Sequence, residues 1–173
     1  VKKELQEAMR RVQTIAMGHE GLSQTADENV DFDKVISNLL RMSVDLASMR
    51  DQHITIDFVG KFGKMPAQDA TPLSLVLTEL ITNAVEHGYD GRKEGHITVS
   101  VGREGKCLNV VVEDDGNGMD QEESNGMAKA SGSGLGTQII NTFVTNDFGG
   151  NVRWEHGRDG GTRVILDMTL RAA

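Results

Sequence analysis

Thr78-Glu79-Leu80-Ile81-Thr82-Asn83-Ala84-Val85-Glu86-His87-Gly88-Tyr89-Asp90 is the stretch on which the reading of this chain turns. Leu73, Val76, Leu77, Leu80, Ile81 and Ala84 recur at helical spacing, which predicts a buried helix from about Pro72 to His87. Pro72 suits a first turn and Gly88 a stop. Thr78, Thr82 and Glu86 are expected to project away from the apolar stripe. Glu79, Asn83 and His87, at i, i+4 and i+8, form a second stripe along its edge. Half-buried polar side chains in a line need partners, because an unpaired buried polar group costs about 1–3 kcal/mol. Alone, the stripe reads as a helix flank satisfied within the protein. The glycine motifs downstream bring a polar ligand into play.

Working outward, His53–Val59 alternates with period two and reads as a strand, with a turn over 60–68 leading back to the helix. Upstream, Asp31 can cap a helix over about 32–49 that carries Phe32, Val35, Ile36, Leu39, Leu40, Val44 and Leu46. Residues 1–20 are charged and amphipathic, with Leu5, Met9, Val12, Ile15 and Ala16 at helical spacing. One such helix cannot bury its stripe alone, so it must pack on the domain or on a partner helix. Residues 21–29 form a polar connector. Downstream, His96–Val101 and Leu108–Glu113 are strands joined by a turn at 103–106. Residues 115–134 read as a mobile loop, Leu135–Val144 as a helix, and Asn151–His156 and Thr162–Leu170 as two more strands. The order α, α, β, α, β, β, loop, α, β, β predicts an α/β fold, a two-layer sandwich with a mixed sheet and helices on one face. The division expected is 1–29, a helix and connector, and 30–173, the main domain.

Composition narrows the function. At 173 residues the chain can build one domain with a real core. Its net charge of -8 sets it against a nucleic-acid partner, and 4% aromatics argues against base stacking on an aromatic platform. Cys107 is the only cysteine, which excludes an internal disulfide and fits a reducing, cytoplasmic setting; within its apolar run it reads as a core residue. No apolar stretch is long enough to span a bilayer, so no membrane contact is expected. The chain opens Val-Lys-Lys-Glu without methionine, as a fragment of a longer protein would.

Three stretches carry chemistry. The first is the Glu79/Asn83/His87 stripe. The second is Asp114-Asp115-Gly116-Asn117-Gly118 after a strand: Asp114 can accept a hydrogen bond from an amino group, and the glycines let backbone lie close to a flat ligand. The third is Ser131-Gly132-Ser133-Gly134-Leu135-Gly136 opening a helix, where free N–H groups and the positive dipole end suit phosphate. It follows a loop rather than a strand, so it is no dinucleotide fingerprint, and no P-loop lysine accompanies it.

In this order, Glu79-x-x-x-Asn83, Asp114-x-Gly116-x-Gly118, Gly134-Leu135-Gly136 and Gly161-Thr162 resemble the N, G1 and G2 boxes and closing Gly-Thr of the Bergerat-fold (GHKL) ATPases. That superfamily includes DNA gyrase, Hsp90, MutL and the histidine kinases. The resemblance covers about residues 30–170. Residues 11–22 resemble the second dimerisation helix of one bacterial histidine-kinase subgroup. The related HWE subgroup has His before the N-box Glu and Trp-x-Glu ahead of the first glycine box; Thr78 and Val111 stand in those places here.

The resemblance implies ATP and Mg²⁺ as ligands. It implies that Asp114, supported by Thr162, accepts the adenine amino group and that Asn83 binds Mg²⁺. It assigns Glu79 to orienting or deprotonating the nucleophile and His87 to facing phosphate, while Gly116 and Gly118 line the nucleotide. Gly134, Leu135 and Gly136 would offer N–H groups to phosphate, within a short lid over 117–133 that lacks the usual phenylalanine box. Lys129 in that lid either neutralises a terminal phosphate or is a solvated loop lysine. His19-Glu20 lacks the Leu-Arg-Thr-Pro of a phospho-acceptor box, and the subgroup's acceptor lies on the preceding helix. The implied function is the catalytic domain of a sensor histidine kinase. It would transfer the ATP γ-phosphoryl group to a histidine for relay to a response-regulator receiver domain, within a homodimeric kinase. An anti-sigma-factor serine kinase shares the fold but has no helix like residues 1–22. A nucleotide-gated binding module with slow hydrolysis is the other alternative.

Overall fold

The computed structural model describes residues 29–89, 91–118 and 135–171. Strand β1 (Asn29–Asp31) leads into helix α1 (Phe32–Met49). Strands β2 (His53–Val59) and β3 (Lys64–Pro66) precede helix α2 (Ala67–His87). Strands β4 (Glu94–Glu104) and β5 (Cys107–Asp114) follow. Helix α3 (Leu135–Thr142) continues into a wider π turn over Phe143–Asp147, before β6 (Asn151–His156) and β7 (Thr162–Thr169). The main sheet has the order β2-β4-β5-β7-β6, and β1 pairs with β3 in a separate two-stranded ribbon. β2 is parallel to β4 and all other pairs are antiparallel, so the sheet is mixed, as expected. A parallel pair needs a crossover, and α2 supplies it.

The two-layer sandwich follows from the strand alternation. Ile97 and Val99 of β4, Val110 and Val112 of β5, and Val164 and Leu166 of β7 are all buried in one core. Phe32 and Ile36 of α1 and Leu73, Leu77 and Ile81 of α2 fill the same core. Fully burying one such side chain is worth about 1.5–3 kcal/mol.

α2 is fastened at its beginning. Asp69, in its first turn, is wholly buried and accepts the backbone N–H of Arg171 at 2.9 Å. The Arg171 guanidinium lies 3.7 Å from the other Asp69 oxygen. A carboxylate suits that position, because the helix N-terminus carries a partial positive charge.

Four expectations need correction. α2 begins at Ala67, so Pro72 lies inside it rather than in its first turn. The carbonyl that Pro72 leaves without a donor belongs to Gln68, which is exposed and open to water. Thr78 and Thr82 are buried, not turned outward. The reason is that α1 and α3 both flank α2, and Thr78 satisfies its hydroxyl on Ser74 O at 2.6 Å. Cys107 is exposed: Leu108, Val110 and Val112 take the inner face of β5, and the one-residue offset turns Cys107 out. Finally, β1 and β3, three residues each, lie where a connector and a turn were expected; neither is long enough to show a period.

The loop before β3 is fixed by Asp33. Its carboxylate accepts Phe62 N–H at 2.8 Å and Gly63 N–H at 3.0 Å, while Asp31 caps α1 through Asp33 N at 3.2 Å. Asp31→Ala should lower the unfolding free energy by about 1 kcal/mol, the loss of one cap. Asp33→Ala should lower it by about 2–3 kcal/mol, because two N–H groups lose a charged acceptor. Urea unfolding of both variants measures the difference; equal losses would mean that the tie to Phe62 and Gly63 carries no weight.

Candidate functional site

Asp114 ends β5 with its side chain buried. Its Oδ1 accepts Gly116 N–H at 2.9 Å and Thr162 N–H at 3.3 Å. Glycines make the room. A Cβ at Gly161 would stand 1.9 Å from Asp114 O and 2.7 Å from Oδ1. One at Gly116 would stand 2.1 Å from Gly88 O, and one at Gly118, where φ is +79°, 2.5 Å from Gly160 O. Asn117 N–H donates to Gly88 O at 2.6 Å. The end of α2, the end of β5 and the start of β7 thus meet backbone against backbone around one carboxylate, and only glycine permits such approach. Gly116 and Gly118 are already required by this packing.

A second carboxylate braces the first. Asp115 Oδ1 accepts His96 N–H at 2.8 Å and lies 2.8 Å from the hydroxyl of Tyr89, which is wholly buried. Arg92 donates to Asp115 O at 2.8 Å. Gly95 leaves space for the Tyr89 ring, which a Cβ there would meet at 2.3 Å. The sequence reading assigned neither Tyr89 nor Asp115 a role. The signal available was a lone tyrosine just past the helix stop and an aspartate doublet at a strand end.

Environment separates the two acids. Burial pushes the Asp114 carboxyl above its ordinary range, only partly offset by the N–H groups of Gly116 and Thr162. Partial burial acts the same way on Asp115. There it is outweighed by hydrogen bonds from His96 and Tyr89, and the carboxyl is held below its ordinary value. Tyr89 is pushed upward by burial and by its bond to Asp115. Two backbone donors do not fill a carboxylate with about four lone-pair sites, so Asp114 has capacity for an amino-group donor.

On α2 the polar stripe grades outward toward this corner. Glu79 is buried, Asn83 half-buried and His87 exposed. α3 packs beside α2, and in its first turn Gly136 and Thr137 are buried. Leu135 opens that helix. Thr162 is half-buried at the head of β7. Gly134, Lys129 and His19 lie outside the described residues. Among the described residues no group of three or more His, Cys, Asp or Glu could hold a metal. A Mg²⁺ ion needs no such cluster when phosphates and water supply most of its oxygen ligands, and the donors near the stripe, Glu79 and Asn83, are hard oxygens that fit it.

Comparison with known proteins decides the family. The family described as histidine kinase-, DNA gyrase B- and HSP90-like ATPase matches residues 68–172. The chain belongs to that family. A second family, described as histidine kinase, matches residues 1–47. The sensor histidine kinase PdtaS of Mycobacterium tuberculosis is 39% identical over 170 residues, 98% of this chain and 33% of the relative. The chain therefore spans about a third of that relative's length. The histidine kinase domain of the blue-light-activated kinase EL346 from Erythrobacter litoralis superposes with a TM-score of 0.71 at 24% identity, over 94% of this chain and 74% of that one, and so shares the fold. The anti-sigma F factor of Clostridium novyi is 25% identical over 111 residues, 61% of this chain and 74% of the relative. Membership of this ATPase family implies that the chain binds ATP.

The glycine packing around Asp114 predicts a sharp contrast. Gly161→Ala should cost about 1–3 kcal/mol through overpacking against Asp114, with loss of nucleotide binding as the carboxylate is displaced. Gly102→Ala, where a Cβ meets nothing within 4 Å, should be nearly neutral. Thermal unfolding and ATP titration of the two variants test this; equal behaviour would show that the close approach is not needed.

Proposed function

We propose that this chain is the ATP-binding catalytic unit of a sensor histidine kinase, residues 30–173 forming that unit and 1–29 a helix and connector. The observation that carries the reading is Asp114, buried at the meeting of α2, β5 and β7 with acceptor capacity beyond its two backbone donors. The adenine amino group donates to Asp114, with Thr162 in support. Asn83 would hold Mg²⁺, which would supply positive charge to offset that of the phosphates. Leu135 and Gly136, with Gly134 and Lys129 ahead of them, meet the phosphates at the start of α3. Glu79 orients or deprotonates the incoming imidazole, and the exposed His87 faces phosphate. The imidazole nitrogen bonds to the γ-phosphorus as its bond to the bridging oxygen breaks, and ADP leaves. In this scheme the protein supplies position and charge rather than covalent chemistry. The phosphoryl group then passes to an aspartate of a response-regulator receiver domain. The full kinase is a homodimer, and the location is cytoplasmic; among the described residues no helix is long and apolar enough to cross a membrane.

A serine kinase of the anti-sigma type is the second reading, favoured by the match to the anti-sigma F factor. The histidine-kinase match over residues 1–47 weighs against it.

Asp114→Asn separates recognition from folding. The folded Asp114 carboxyl holds its proton more tightly than the unfolded one. Between its ordinary value of 3.8 and its raised value the folded state therefore binds more protons, and stability falls as pH rises. Above that window the buried charge is a standing cost to the free protein. Asp114→Asn should thus leave the melting temperature at neutral pH unchanged or higher, while ATP affinity falls roughly ten- to a hundred-fold. Unchanged affinity with a lower melting temperature would reduce Asp114 to a turn residue. In the same titrations, Asn83→Ala should weaken binding with Mg²⁺ and matter much less in EDTA.

The reaction itself is tested with labelled ATP. The chain should bind Mg-ATP without stably phosphorylating itself, and should phosphorylate in trans an intact kinase whose own ATP site is inactivated, slowly because docking is bimolecular. The label should be acid-labile. Acid-stable label would favour the serine-kinase reading. Label on the chain alone, abolished by His19→Gln with ATP affinity intact, would place the acceptor at His19.

A further inference from the structure

The two oxygens of Asp114 stand in different surroundings. Oδ1 accepts both backbone donors, Gly116 N–H and Thr162 N–H. Three glycines close on that same oxygen: a Cβ at Gly161, Gly116 or Gly88 would lie 2.7, 3.1 or 3.5 Å from it. Oδ1 is walled in by backbone, and its two lone pairs are taken. Among the described residues Oδ2 has no donor. The carboxylate thus turns one saturated oxygen inward and leaves the other as an acceptor for a ligand.

We infer that Oδ2 alone reads the 6-substituent of a purine triphosphate, and that the fixed role of Oδ1 makes Asp114→Asn exchange a 6-amino preference for a 6-oxo one. This rests on the reading that the nucleotide base meets Asp114, and goes beyond it by naming the atom that decides between purines. A 6-amino group is a donor and a 6-oxo group an acceptor. Facing Oδ2, the first makes a charge-assisted bond, while the second sets an acceptor against an anion. An amide has the shape of the carboxylate but one acceptor end and one donor end. Its oxygen must take the Oδ1 place, because an NH₂ there would confront two N–H groups and leave both unpaired. The backbone around it is held against retreat: Asn117 N–H donates to Gly88 O at 2.6 Å, and Gly157 N–H to Gly161 O at 2.7 Å. The amide nitrogen then stands where Oδ2 stood, as a donor that repels a 6-amino group and pairs with a 6-oxo group.

Titration of the full chain with three triphosphates at neutral pH tests this: ATP, purine riboside triphosphate, which lacks a 6-substituent, and inosine triphosphate, which carries a 6-oxo group. With Mg²⁺ present, the wild type should bind ATP roughly ten- to a hundred-fold tighter than inosine triphosphate, with purine riboside triphosphate between them. Asp114→Asn should reverse the order and favour inosine triphosphate over ATP by about two- to tenfold. Each order is a ratio within one protein, so partial unfolding of the variant lowers all three affinities together and leaves the order intact. A variant that has lost ATP affinity but still prefers ATP, or ranks the three alike, overturns the inference while the base-binding role of Asp114 stands. ATP affinity unchanged by the substitution removes the base from Asp114 altogether, and the inference with it. Should the variant fail to fold, the wild type decides: the order given supports a single open acceptor, and equal affinity for ATP and inosine triphosphate overturns it.

Discussion

One buried carboxylate constrains this molecule more than any other group. Asp114 must be satisfied inside the protein, and the donors that reach it, Gly116 N–H and Thr162 N–H, come from chain segments far apart in sequence. To bring them within hydrogen-bond distance, the ends of α2, β5 and β7 have to press together without side chains between them. Gly116 and Gly161 follow from that demand. So does the bracing of the next residue, Asp115, by Tyr89 and His96. The two adjacent acids end up in opposite states of ease. One is destabilised by burial and open to a donor; the other is stabilised by neighbours and committed to structure.

This division explains how a site can be rigid yet unsatisfied. Catalysis by positioning requires groups that do not rearrange when substrate arrives. Asp115, Tyr89, Arg92 and His96 form a hydrogen-bonded frame around the turn at 115–118, so Asp114 need not move to meet a base. On α2, the gradient from buried Glu79 to exposed His87 places the acid of the polar stripe deepest, where a charge has most influence on a neighbour.

Much of the fold was legible because its periods are long. The 18 residues of α1, capped by Asp31, and the alternating runs of β2, β4, β5, β6 and β7 declare themselves by pattern. What failed to show was either too short or decided by neighbours. β1 and β3 are three residues each. Thr78 and Thr82 look solvent-facing on a helical wheel, but α2 is flanked on both sides, and no wheel records flanking helices. Cys107 sits one residue out of phase with Leu108. The site was legible as three motifs in order, since glycines at enforced positions and a strand-terminal aspartate are local signals. The bracing role of Tyr89 was not, because its partners His96 and Asp115 lie across two turns of chain. Lys129 and Gly134, outside the described residues, keep the standing that sequence alone gives them.

The fastening of α2 has a mechanical consequence. Its first turn is tied to the last strand's exit through Asp69 and Arg171, and its far end is tied to the turn after β5 through Gly88 and Asn117. A rod clamped at both ends cannot slide along its axis. The nine-residue interval from Glu79 to Gly88 therefore behaves as a ruler of about 13 Å, set by the helical rise and by nothing softer. Any ligand that reaches from the Asp114 corner toward Glu79 is measured against that fixed length, and one a bond too short or too long meets a scale that does not stretch to suit it.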